Sequence, residues 1–208
     1  MIAGGCCLVL LTACGGSSAS TTSTSAPVPA ASSSGSVGTS ATNAPNPNAP
    51  ERVAAGDIPD NQVYLRFTPP GGTFTVSVPQ GWARLTEAGA TVFSDKYNSV
   101  RIESKPAPTS LDVAHVKAQE IPALKRSVPA FVLSGVTTMQ RSAGTAVLLT
   151  YAASSTPNPV TGRSALLAVQ RYEFARHGLE VTLTLAGAQG ADNVDPWKRI
   201  SDSFRWGQ

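Results

Sequence analysis

Beyond residue 14 the sequence contains no cysteine, and before residue 51 it contains no charged side chain. The first absence removes any disulfide framework and any cysteine-based metal site from the bulk of the chain, whose stability must rest on its core. The second divides the 208 residues into two materials, because all 16 basic and 13 acidic side chains follow residue 50. Histidine is scarce, with only His115 and His177, far apart in sequence. No apolar run approaches the ~20 residues that span a bilayer as a helix. The net charge of +3 comes from scattered Lys and Arg, densest at Lys125-Arg126 and Lys198-Arg199. A basic stripe with interleaved aromatics is lacking, so nucleic acid is not expected as a partner.

What is present at the start is short and apolar. Cys6 to Leu11 has the length of a secretory core segment, and small residues follow it. Leu11-Thr12-Ala13-Cys14 resembles, at all four positions, the pattern that ends bacterial lipoprotein signals. That resemblance implies removal of residues 1–13 and acylation of the Cys14 thiol and its new amine, with Gly15-Gly16 leaving the sulfur accessible. Met1-Ile2-Ala3-Gly4-Gly5 lacks the Lys or Arg with which such signals open, and an ordinary secretory signal cut near Ala13 is the alternative. Residues 17–56 are Ser, Thr, Ala, Pro, Gly and Asn with no aromatic. Such a composition buries too little apolar surface to offset ordering entropy, so a disordered tether is expected, of a composition that suits O-glycosylation. About 40 flexible residues span roughly 35 Å. The expected organisation is a signal peptide over 1–13, a lipidated Cys14 with its tether over 14–56, and a folded domain over 57–208, outside the cytoplasmic membrane.

In the folded part, period-2 patterning predicts strands. Val63, Leu65 and Phe67 form the apolar side of one, and Phe74, Val76 and Val78 that of a second. Shorter candidates cover 91–94 and 99–104, and longer ones 132–141, 145–153, 164–174 and 179–185. His177-Gly178 reads as the turn into the last of these. A helix is expected over 109–126, with Thr109-x-x-Asp112 as a capping box and Pro122 as a kink. Asp195-Pro196 reads as the N-cap and first residue of a closing helix, with Trp197, Ile200 and Phe204 on its apolar face. Hairpin-linked strands with few helices imply an α+β fold, an antiparallel sheet flanked by helices.

The stretch Gly72-Thr73-Phe74-Thr75-Val76-Ser77-Val78-Pro79-Gln80-Gly81-Trp82 resembles the opening of PsbP-like domains. Val92-Phe93-Ser94-Asp95 through Asn98-Ser99-Val100-Arg101-Ile102 is similar to that family's second strand pair, and Trp197 through Phe204 to its closing helix and strand. The resemblance runs over residues 57–206 and implies an α/β/α sandwich of the kind found in actinobacterial lipoproteins of the LpqN type. It implies a binding or assembly role rather than one chemistry.

The residues themselves carry no catalytic signature, and neither an enzyme activity, a cofactor nor a metal is expected. His115 lies near the inner edge of its helix and reads as a satisfied core histidine. Asp192, Asn193 and Asp195 lack the spacing of a calcium loop, and Gly71-Gly72 is no phosphate loop. Trp82, Tyr97 and Trp206 are weak candidates for lining a ligand groove, with core packing the simpler role. The role expected is a membrane-anchored, non-enzymatic binding module for an envelope protein or component. Lipid or glycolipid carriage and, more remotely, hydrolysis are the alternatives.

Overall fold

A computed structural model describes residues 56–207. The expected signal peptide, Cys14 and the tether up to residue 55 therefore lie outside the described residues. The chain runs β1 (Tyr64–Phe67), β2 (Phe74–Pro79), β3 (Ala83–Glu87), β4 (Ala90–Asp95) and β5 (Asn98–Pro106) before its first helical segment. That segment comprises α1 (Val113–His115), a π-helical turn (Val116–Glu120) and α2 (Ile121–Ser127). Then follow β6 (Val132–Arg141), β7 (Gly144–Ser154), β8 (Leu166–Arg176), β9 (Leu179–Ala188), α3 (Val194–Asp202) and β10 (Arg205–Trp206).

Seven strands form one antiparallel sheet in the order β3-β4-β5-β9-β8-β7-β6, and a small sheet has the order β1-β2-β10. This is the α+β class expected from the sequence. The two faces of the large sheet are covered differently. On one face Val100, Ile102, Leu148, Tyr172, Phe174, Val181, Leu183 and Leu185 meet α3 and the small sheet in a single core cluster. On the other, Val147, Leu149, Tyr151 and Val169 meet Val116 and Ile121 of the helical segment. One layer is thus helix plus small sheet rather than helix alone.

Local chemistry explains the departures from the sequence reading. In β1, Phe67 is buried but Leu65, like Val63 just before the strand, is exposed, because β1 is an edge of the small sheet with only β2 beside it. The strand β3 is exposed throughout, so no apolar alternation announced it; its Arg84 guanidinium lies 5.0 Å from the Phe67 ring centroid and shields that corner of the core. Asp112, not Thr109, caps the first helix: its backbone is extended and its Oδ1 accepts the His115 N–H at 2.8 Å. Pro122 lacks an N–H and its ring crowds the carbonyl four residues back. The chain accommodates it with a wider turn, in which the Ile121 N–H reaches Val116 O.

The closing helix starts at Asn193 rather than Asp195, since the Trp197 N–H bonds Asn193 O. The Asn193 side chain is engaged elsewhere, accepting from the Ile58 N–H at 2.8 Å and donating to Gly56 O at 3.0 Å and Asn98 Oδ1 at 3.1 Å. Trp197, Ile200 and Phe204 are buried as expected, with Phe204 just past the helix end. His177 and Gly178, both at positive φ, make the expected two-residue turn between β8 and β9.

Candidate functional site

The second face of the large sheet holds a charged layer that period-2 patterning hid. Register places three rows across it. Lys105 on β5 lies opposite Glu180 on β9. Glu103 lies opposite Thr182, which faces Glu173 on β8. Arg101 lies opposite Thr184, which faces Arg171. Moving on to β7 the same rows turn apolar, at Val147 and Leu149.

Alternation says that Glu180, Thr182 and Thr184 point away from Val181 and Leu183; it does not say what covers them. The helical segment does, in part. The turn forced by Pro122 ends at Glu120, whose side chain reaches down to this layer. Glu173 and Glu180 are 0% and 1% exposed, and Arg171 and Thr182 are also buried.

Arg171 is the hub. Its Nε donates to Glu173 Oε1 at 2.8 Å, Nη2 to Glu120 Oε2 at 3.3 Å and Nη1 to Glu103 Oε2 at 3.5 Å. Lys105 Nζ lies 2.7 Å from Glu120 Oε1 and 3.2 Å from Glu180 Oε1. Arg101 joins Glu103 at 2.9 Å and Glu87 at 3.5 Å. Glu87, Glu103, Glu120, Glu173 and Glu180 against Arg101, Lys105 and Arg171 leave two carboxylates in excess.

That imbalance appears in the titration behaviour. Burial raises the Glu173 carboxyl above the usual range, helped by Glu120 and Glu180, and Arg171 only partly offsets it. Burial pushes Glu120 in the same direction, but the Lys105 bond and the charges of Arg171 and Lys105 outweigh it and hold Glu120 below its ordinary value. Two neighbouring carboxyls are thus driven apart, one toward the neutral and one toward the ionised form. Buried atoms without a hydrogen-bond partner include Glu173 Oε2, Glu180 Oε2 and Thr184 Oγ1, all on this face.

The aromatic candidates lie elsewhere. Trp82 and Trp206 are half-buried against the first core cluster, near opposite ends of β2. Tyr97 is 46% exposed at the β4–β5 turn. Trp206 shares the wall of a cleft of about 310 Å³ with Arg176, Leu179 and the turn residue His177. His115 lines a shallow depression beside Asp112 and Gln119. Among the described residues no group of three or more His, Cys, Asp and Glu is placed to hold a metal ion.

The large sheet ends in β6, whose outer edge pairs with no strand among the described residues. Its ten residues carry no charge before Arg141 and no proline, and Val132 is 62% exposed. The opposite edge, β3, carries Arg84 and Glu87.

No family model matches the chain, and no curated protein does. Solved structures match it at low identity. Cyanobacterial PsbP from Synechocystis has a TM-score of 0.49 and 12% identity over 73% of this chain and 98% of its own. LpqN of Mycobacterium tuberculosis, described as involved in cell envelope biogenesis, has a TM-score of 0.40 and 18% identity over 72% of this chain and 93% of its own. A Bacteroides thetaiotaomicron protein has a TM-score of 0.46 and 11% identity over 69% of this chain, which spans only 48% of that protein's length. At such identities the likeness assigns no ligand, partner or activity.

Proposed function

We propose that the protein is a lipid-anchored, extracytoplasmic and non-enzymatic binding module, a lipoprotein of the LpqN type that its sequence resembles. Its partner is an envelope protein that docks an extended segment on the open edge of β6. Leu11-Thr12-Ala13-Cys14 ahead of a charge-free stretch supports the anchor. Two acyl chains are needed for stable attachment, each buried CH₂ contributing ~0.8 kcal/mol. Cys14→Ala should therefore release the protein from the membrane fraction or leave it unprocessed. Unchanged detergent partitioning of that variant would overturn the anchor.

The observation that carries the binding role is the β6 edge. Exposed strands are normally blunted by Lys, proline or a short length, as the charges of β3 illustrate. Ten residues left open, with Val132 and Leu133 exposed, present backbone groups to an added strand. The bulge between Leu133 and Gly135 divides this edge into two pairing stretches, residues 132–133 and 135–141. Placing charges there, as Val132→Lys with Thr137→Lys, should abolish co-purification of envelope partners while leaving the melting temperature within about 2 °C, because both side chains are exposed. Retained partners in the double variant would remove β6 from the interface. Five clefts of about 90 to 640 Å³ each include polar side chains in their walls.

A further inference from the structure

One carboxylate of the charged layer is only half used. Glu173 Oε1 accepts from Arg171 at 2.8 Å, while Oε2 has no hydrogen-bond partner although the side chain is 0% exposed. Burying a carboxylate oxygen without a donor is unfavourable, so the arrangement favours any group that brings one. Glu173 also forms part of the wall of a cleft of about 320 Å³, lined besides by Leu111, Asp112, Thr138, Thr145 and Val147. That volume lies within the range of small-ligand sites.

We infer that this cleft binds a primary ammonium group carried on an aliphatic stem, with Glu173 as the anion that receives it. The donor set of an ammonium fits the acceptors present. Glu173, Thr138 and Thr145, whose hydroxyl also accepts from Gln140 Nε2 at 2.8 Å, supply acceptors along the wall, and Leu111 and Val147 supply apolar surface for the stem. Asp112, exposed beside the first helix, adds negative charge at the mouth. No cationic side chain lines the cleft.

The chemistry also discriminates between cations. A guanidinium is best held by both oxygens of a carboxylate, and Arg171 already occupies Oε1, so a single free oxygen suits the point charge of an ammonium. A metal ion is disfavoured because no cluster of three ligating acids or histidines is assembled among the described residues. The excess of two carboxylates in the connected layer supplies the long-range attraction. This site shares Thr138 with β6, but it requires neither the anchor nor a strand docked on that edge.

The test is a calorimetric titration of the full chain with n-butylammonium chloride, against n-butanol as the uncharged match at equal ionic strength. The ammonium should bind at least tenfold tighter than the alcohol. Glu173→Gln keeps the shape of the side chain and should weaken ammonium binding at least tenfold in a chain that still folds. Asp112→Asn, which retains a helix cap, should weaken it severalfold, and so keeps the test open if the first variant is unstable. In the pH range where Glu173 carries its proton, binding should release it in the parent and not in Glu173→Gln, since the ligand favours the ionised carboxylate among Arg171, Glu120, Glu103, Glu180, Lys105 and Asp112.

A blocked Gly-Lys-Gly peptide separates two sources of the same chemistry. Tighter binding than butylammonium identifies a lysine of a polypeptide, and weaker binding a free amine; either result supports the site. Equal affinity for amine and alcohol overturns the proposal. So does undiminished ammonium binding by a folded Glu173→Gln.

Discussion

Replacing Arg171 with alanine should destabilise the domain by about 3–5 kcal/mol, the magnitude for removing one partner from a buried ion network. The reason lies in what stays behind. Glu173 has no exposure, and Glu120 and Glu103 also accept from the same guanidinium. Three carboxylates would lose their shared donor at once. Against a typical domain stability of ~5–15 kcal/mol, the variant would be marginal. Urea unfolding should show the loss, and adding Glu173→Gln should recover a substantial part of it, because a neutral amide is far cheaper to leave unpaired than a buried carboxylate. If Arg171→Ala is nearly neutral, the layer is wetter than its burial implies.

The same network predicts a pH dependence. Glu173 titrates above its unfolded value, so the folded state holds more protons there. Its contribution to stability is complete below the unfolded glutamate range and fades as pH rises through the higher folded value. Glu120 has the opposite sign: its contribution is present above the unfolded range and is lost as pH falls through its depressed folded value. Glu173→Gln should therefore flatten the decline in stability on the neutral side and leave the acid-side loss in place.

How much of this was legible before the structure depended on which question the pattern could answer. The bounds of β6, the buried side of β2 and the turn at His177-Gly178 follow from period 2 and from glycine chemistry, and the structure has them so. The strand β3 was invisible because Ala83-Arg84-Leu85-Thr86-Glu87 is exposed on both faces, and alternation marks a strand only when one side is buried. The cap assignments missed because Thr109 and Asp195 fit the motif as well as Asp112 and Asn193 do; only the hydrogen bonds formed decide between them.

The charged layer is the instructive miss. Charges recur at spacing two on β5, at Arg101, Glu103 and Lys105, and on β8, at Arg171 and Glu173, while β9 carries Glu180 alone. Each run alone reads as a solvated face. Only knowledge that β5, β9 and β8 are neighbours, in that register, makes the runs one buried network. Opposite signs at matching spacing on separate strands are the signal that could have raised the question.

Trp197→Ala should rank beside Arg171→Ala in effect, at about 3–5 kcal/mol, through a different cause: loss of a large apolar side chain and the cavity left behind. Trp197 is 7% exposed and joins the cluster in which Phe204 stacks on Phe174 at 4.4 Å and meets Phe74 at 5.5 Å. It also borders a polar knot. The Asn193 side chain ties Gly56, Ile58 and Asn98 together there. At Gly187 a Cβ atom would come within 2.6 Å of Asn193 Nδ2 and 3.3 Å of the Trp197 ring, so the strand, the knot and the indole are packed with no slack. Shrinking the indole should thus loosen the knot as well as the core, and the domain has no disulfide to compensate. For a domain of this size ~1 kcal/mol corresponds to ~2–4 °C, so the melting temperature should fall by roughly 6–20 °C. Trp197→Phe should recover most of that fall, since it restores aromatic volume without the ring nitrogen. An unmoved melting temperature in Trp197→Ala would mean that α3 does not seat on the sheet through this residue, and the packing of the small sheet against Phe204 would then have to hold that layer by itself.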